Sequence, residues 1–178
     1  MQHVPLTQAL HENQGYVRAH ANERFRAVLH DTPTSSCEEK ASLLGWPAHR
    51  VVKALYYSNK DSLVGIVLPH TDKKIRSRHV IARATGLSRT KAARFTNGQV
   101  PLGMEHGTCT PFAREDADID YFVIHKDPSL DEQLVDVSVG GVGERWHRTS
   151  LHLPYKAIHT ILSKAYASRV TSFNVFDA

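Results

Sequence analysis

Cysteine is scarce, with only Cys37 and Cys109 among 178 residues. They stand far apart and in no ligand-like pair, which excludes a disulfide framework and a cysteine-based zinc signature, and reduced thiols fit a cytoplasmic protein. Long hydrophobic runs are also missing. No apolar stretch nears the roughly 20 residues that a membrane-spanning helix needs, and Met1-Gln2-His3-Val4-Pro5 leads into a polar helix without a signal-like core. A soluble protein with no membrane partner is the expectation. No internal repeat or low-complexity tract occurs, so no solenoid or array is expected.

The length suits one domain, 1–178, with a full hydrophobic core, and the 41% hydrophobic and 22% charged residues are those of a globular protein. The net charge of +4 is modest but unevenly spread. Lys73, Lys74, Arg76, Arg78, Arg83, Arg89, Lys91 and Arg94 follow one another with no acid between them. Glu115, Asp116, Asp118, Asp120, Asp127, Asp131 and Glu132 are opposed only by Lys126. Such a chain has a positive and a negative end. A basic face attracts phosphate-rich partners through counterion release, though many basic helices are only solvated surfaces.

Periodicity predicts a first helix over about 6–18 and a strand over 24–30, where Phe25, Ala27 and Leu29 alternate. Ser35 and Ser36, each three residues before Glu38 and Glu39, form a capping box for a short helix that Gly45 and Pro47 stop, with Cys37, Ala41 and Leu44 on one face. Val51–Tyr57 and Leu63–Leu68 read as two arms of a hairpin. Asp72 is placed to cap a helix with Val80, Ile81, Ala84 and Leu87 inward, ended by Gly86, and a shorter helix follows near Ser88. A loop rich in glycine and proline over 97–111 precedes strands at 119–125 and 133–139. A short strand near 148–153 leads to Pro154, the expected first residue of a helix burying Ala157, Ile158, Ile161, Leu162 and Ala165, and an apolar tail over 170–176 docks back. Hairpins and helices without strict alternation predict an α/β fold: a mixed, curved central β-sheet with flanking helices.

Within this pattern Lys53 is out of place. Val51-Val52-Lys53-Ala54-Leu55-Tyr56-Tyr57 is otherwise apolar on both faces, and an unpaired buried ammonium is costly. Either Lys53 opens into a pocket that receives an anion or a polarised oxygen, or it snorkels from an edge strand. A second feature is Gly107-Thr108-Cys109-Thr110-Pro111. Glycine permits unusual backbone angles and proline fixes the exit, so the turn can aim amide N–H groups at one point and stabilise an oxyanion.

His49-Arg50-Val51-Val52-Lys53-Ala54-Leu55, then Met104-Glu105-His106-Gly107-Thr108-Cys109-Thr110-Pro111, then Val137-Ser138-Val139-Gly140-Gly141 before a closing helix, resembles the YbaK and prolyl-tRNA synthetase-associated editing-domain family. The likeness covers about residues 24–165. It implies that fold and an aminoacyl-tRNA deacylase, which hydrolyses the ester of a mischarged small amino acid on tRNA, acting without metal or cofactor. The implied partners are the tRNA acceptor end with its amino acid and an aminoacyl-tRNA synthetase. Carried over, Lys53 orients the acceptor end and the backbone of Gly107–Pro111 surrounds the aminoacyl carbonyl. Ala54, His106, Thr108, Cys109, Thr110, Pro111, Ser138 and Gly140 are then candidates for substrate binding, and Lys73, Lys74, Arg76, Arg78 and Arg83 for tRNA binding. In the family much of the catalysis is attributed to water and the substrate's own ribose hydroxyl, which agrees with the lack of an obvious nucleophile and base here.

The chain departs from the family at Ala54, where relatives commonly have a polar residue, and in the longer segment Gly143-Glu144-Arg145-Trp146-His147. The first bears on specificity and the second on the pocket rim or tRNA binding. Three other readings stay open. Cys109 with His106 suggests a thiol hydrolase. The late His147, His152 and His159 suggest a metal, though scattered histidines are more often hydrogen-bonded or surface residues. The same fold can also bind tRNA or a synthetase without hydrolysis. The chain suits a free-standing protein or a synthetase domain equally well.

Overall fold

The computed structural model describes residues 1–95 and 103–177, the side chain of Lys91 excepted. Residues 97–102 of the expected glycine- and proline-rich loop lie outside these. The strands are β1 (Gln2–Val4), β2 (Arg26–Leu29), β3 (Val51–Asn59), β4 (Ser62–Pro69), β5 (Ala92–Arg94), β6 (Tyr121–His125), β7 (Leu134–Ser138), β8 (Thr149–Pro154) and β9 (Val170–Phe173). They form one mixed sheet in the order β1-β2-β8-β7-β3-β4-β6-β9, with β5 paired to β3. The helices are α1 (Leu6–Ala9), α2 (Gly15–Ala19), α3 (Cys37–Leu44), α4 (Ser77–Thr85), α5 (Glu144–His147) and α6 (Tyr155–Tyr166).

Side chains alternate across a strand, so the sheet has two different coverings. Val52, Ala54 and Tyr56 of β3 join Val135, Val137, Leu151 and Leu153 in the larger core, sealed by Ile158, Ile161 and Leu162 of α6. Each of these fully buried aliphatics stabilises the fold by about 1.5 to 3 kcal/mol. On the opposite face Tyr57, Val64, Ile66 and Leu68 pack against Val80 and Ile81 of α4 and Val175 of the tail.

The capping box forms between Ser36 and Glu39, and Gly45 ends α3 with a φ of 64°. The β3–β4 hairpin keeps its register from Val52↔Pro69 to Asn59↔Ser62. Other expectations need correction. The first helix is broken, because Leu10 is extended and the side chains of His11 and Gln14 leave the helical pattern to bond Gly140 O, Phe112 O and Val139 O. Residues 2–4, ahead of the expected helix, pair with β2. Asp72 does not cap α4, which starts at Ser77 without a side-chain cap; the Tyr57 hydroxyl donates to Ser77 Oγ at 2.6 Å instead. The short helix after Ser88 is a single 3-10 turn followed by β5. Pro154 is the N-cap of α6 rather than its first residue, and Ala165 is exposed while Tyr155 and Tyr166 are buried.

A local split in the sheet defines the candidate site. β3 runs parallel to β7 only at Val51↔Asp136 and Val52↔Val137, and β5 takes the same side of β3 only from Tyr57↔Arg94 onward. Among the described residues, 53–56 therefore have no strand neighbour on that side. The ladder alternates: Val51 O accepts from His70 N on the β4 side, and Tyr56 O accepts from Phe95 N on the β5 side. Ala54 consequently turns its N–H and C=O toward the split.

Candidate functional site

Lys53 is half-buried and, among the described residues, has no hydrogen-bond or ion-pair partner. It shares its face of β3 with Leu55 and with Tyr57, whose hydroxyl reaches the start of α4. Its charge reaches Cys37, the first residue of α3. Burial pushes that thiol up to about 11, and Lys53 opposes the rise.

The 104–111 segment crosses the split. At one end Thr110 is buried in the larger core, where its carbonyl accepts from the Tyr56 hydroxyl at 2.6 Å. At the other end Gly107, with φ 89°, lies so close to Ser35, two residues before α3, that a Cβ would be 2.9 Å from Ser35 Cα and O. The start of α3 thus lies against Gly107 and within reach of the Lys53 charge. Two amides of the turn are used internally: Thr108 N donates to Glu105 O at 3.0 Å, and Thr110 N points to Met104 Sδ at 3.4 Å. Within 107–111 the amides of Gly107 and Cys109 donate to no other residue among those described, so the N–H groups left over in this stretch alternate. The remaining residues fall around this turn. Thr108 is buried, its hydroxyl bonded to Gly141 O at 2.7 Å, and Pro111 is buried. Gly140 presses on Thr110 and Met104. Ser138 is half-buried on the α3 side of the sheet, paired with Ser150.

His106 is exposed and makes no hydrogen bond with Cys109 among the described residues. The Cys109 thiol donates to Glu105 O, and burial raises it above the ordinary thiol range. Both effects keep the proton on sulfur, the opposite of what a nucleophilic thiol requires.

Beneath α3 lies a buried polar network that the sequence reading did not anticipate. Lys40 Nζ donates to Ser150 Oγ at 3.0 Å, His30 Nε2 is 3.0 Å from the same oxygen, and His152 Nε2 donates to Asp136 Oδ2 at 2.9 Å. Burial acts to raise Asp136, but the His152 bond and the Lys40 charge outweigh it and hold the carboxyl below its ordinary range. Burial, aided by Lys40, lowers His30 to about 4. Lys40 falls on the stripe of Cys37, Ala41 and Leu44, the one signal that could have revealed its burial. His30, Asp136 and His152 place ligand atoms within 4.8 Å of one another. The Lys40 ammonium already balances the carboxylate, so a divalent ion would add uncompensated charge to a buried site. Of the other late histidines, His159 lies beside Ser163 and His147 contacts Glu105.

Lys73, Lys74, Arg76, Arg78 and Arg83 are all exposed, on α4 and the segment leading to it. Arg83 bonds Asp177 O and lies over Phe173, and Lys73 lies over Phe176, so these two also hold the tail. A groove of about 920 Å³ outside α3 is lined by Glu38, Glu39, Glu144 and His147 among others. Its carboxylates make it a poor approach for phosphates.

No family model and no curated protein matches the chain. Solved structures do. A hypothetical protein is 21% identical with a TM-score of 0.65, covering 89% of this chain and 95% of its own. A candidate trans-editing enzyme for prolyl tRNA synthetase is 14% identical with a TM-score of 0.64, covering 92% and 97%. A scaffold protein from computational epitope grafting is 14% identical with a TM-score of 0.64, covering 93% and 97%. At such identities the likeness establishes the fold, a large mixed sheet with flanking helices that this chain shares with a candidate trans-editing enzyme.

Proposed function

We propose that this protein is an aminoacyl-tRNA deacylase acting on the ester of a mischarged small amino acid. One observation carries the reading: the start of α3 lies against Gly107 and within reach of the Lys53 charge, at a split in the sheet toward which Ala54 turns its backbone. Lys53 orients the acceptor end, and the amides of Gly107 and Cys109 receive the developing negative charge on the ester oxygen. A single well-placed donor of this kind contributes about 3 to 4 kcal/mol to a transition state. The attacking water needs no protein nucleophile, since orientation and carbonyl stabilisation account for most of the rate. The exposed Lys73, Lys74, Arg76, Arg78 and Arg83 lie on the Lys53 side of the sheet and would hold the phosphates. The solved candidate trans-editing enzyme of the same fold supports the reaction class.

A deacylation panel of alanyl-, cysteinyl- and seryl-tRNA tests this with wild type and Lys53→Ala. One small-residue ester is hydrolysed, and the variant loses most of the rate. Comparable rates for the two proteins would remove Lys53 from its role. Binding of tRNA with no amino acid released would establish a binding module, a reading that Ala54, apolar where a polar residue is expected, favours.

A further inference from the structure

Within the segment Gly143–His147, residues from Glu144 form α5, and its last residue reaches the Gly107 turn. His147 Nδ1 faces Thr34 O at 3.0 Å and Nε2 faces Glu105 Oε1 at 2.9 Å. Gly143 N donates to the same carboxylate oxygen at 2.6 Å, and Thr34 N donates back to His147 O at 3.1 Å. Three separate segments are tied together around Gly107, where a Cβ would meet the His147 ring at 3.0 Å and Ser35 at 2.9 Å.

We propose that His147 is a positioning residue, a latch that holds the Gly107 turn against the start of α3, and that its grip depends on pH. This inference rests on the deacylase reading for its effect on rate, but not for the latch itself. A carbonyl oxygen and a carboxylate can only accept, so both bonds are complete only when both ring nitrogens carry hydrogen. The Gly143 N–H bond chiefly, with His147 contributing, holds Glu105 below the ordinary carboxylate range, so it stays an acceptor. The acidic groups around the ring are Glu105 of the turn, and Glu38 and Glu39 of α3 and Glu144 of α5, which line the same groove. Opposing them are Arg145, stacked on Trp146, and Arg148, which pairs with Glu144. When the ring loses its second proton, one of the two bonds must fail and the turn loosens.

The test combines amide hydrogen exchange with deacylation kinetics on wild type, His147→Ala and the isosteric Glu105→Gln. The probes are the amides of Thr34 and Thr108, which donate to His147 O and Glu105 O. With the latch removed in His147→Ala, exchange at both amides quickens roughly tenfold or more, and in Glu105→Gln, whose carbonyl still accepts but carries no charge, it quickens less. In wild type their protection falls as pH is raised, and in His147→Ala it does not. Because the turn acts on the reacting carbonyl, kcat drops roughly ten- to hundredfold with KM unchanged, as expected for a small misplacement. Unchanged exchange in both variants overturns the latch, and loosened exchange with unchanged kcat overturns the positioning role. A wild type that releases no amino acid defeats the deacylase reading, while the exchange measurements still decide the latch.

Discussion

His30 is 1% exposed and changes its proton count on unfolding. Its ordinary value of 6.5 is lowered to about 4 by burial and by Lys40. Between those values the unfolded chain binds a proton that the folded chain does not, so stability falls as pH drops from 6.5 toward 4 and is retained above. The loss amounts to about 3 kcal/mol when complete. Asp136, held below the ordinary carboxylate range, adds a further loss at still lower pH, as its folded form finally takes up a proton. Denaturant midpoints at neutral and mildly acidic pH check this, and His30→Gln should flatten the first part of the dependence. An equally steep profile in the variant would assign the effect elsewhere. Lys53 was legible as an anomaly because a cation interrupted an apolar strand. Lys40 was not, because lysine in a short helix ordinarily faces water and its partners come from strands more than 90 residues away in sequence.

At the scale of the element, α3 matters most, since its start lies against Gly107 and within reach of the Lys53 charge. Ser36 Oγ accepts from Glu39 N at 3.1 Å, and Glu39 Oε2 accepts from Ser35 N at 2.8 Å. Ser36→Ala should cost about 1 kcal/mol in global stability, read from a chemical denaturation midpoint. No change there would mean that packing alone holds the helix start. This cap, the Gly45 stop and the β3–β4 hairpin were legible because each depends on residues close in sequence. The broken first helix was not: His11 and Gln14 bond to carbonyls about 100 residues or more away, and those bonds outweigh the local helical pattern. Strand β5 was not legible for a similar reason, as its partner among the described residues is the far end of β3.

Over the whole molecule, the basic side chains cluster on and before α4, on the sheet face that carries Lys53, while the groove beside α5 is acidic. On the proposed deacylase reading, an RNA end docks from the α4 side. Lys74→Glu with Arg76→Glu and Arg78→Glu should weaken tRNA binding and reduce the slope of log affinity against log salt by roughly 0.7 to 0.9 for each phosphate no longer neutralised. An unchanged slope would place the tRNA on another surface. Lys73 and Arg83 are poorer choices for this test, because both also pack against the tail.

The sequence by itself determined which segments form α3, β3, β4 and α6, the polarity of the two charged regions, and the two unusual features, Lys53 and the Gly107–Pro111 turn. Those follow from periodicity, caps and glycine, all of which act over a few residues. Only the tertiary structure decided where β3 parts from β7, that α3 lies against the turn and within reach of the Lys53 charge, and that Lys40, His30, Asp136 and His152 meet in the interior. These outcomes depend on which distant strands become neighbours, and that is set by the burial of whole faces against one another.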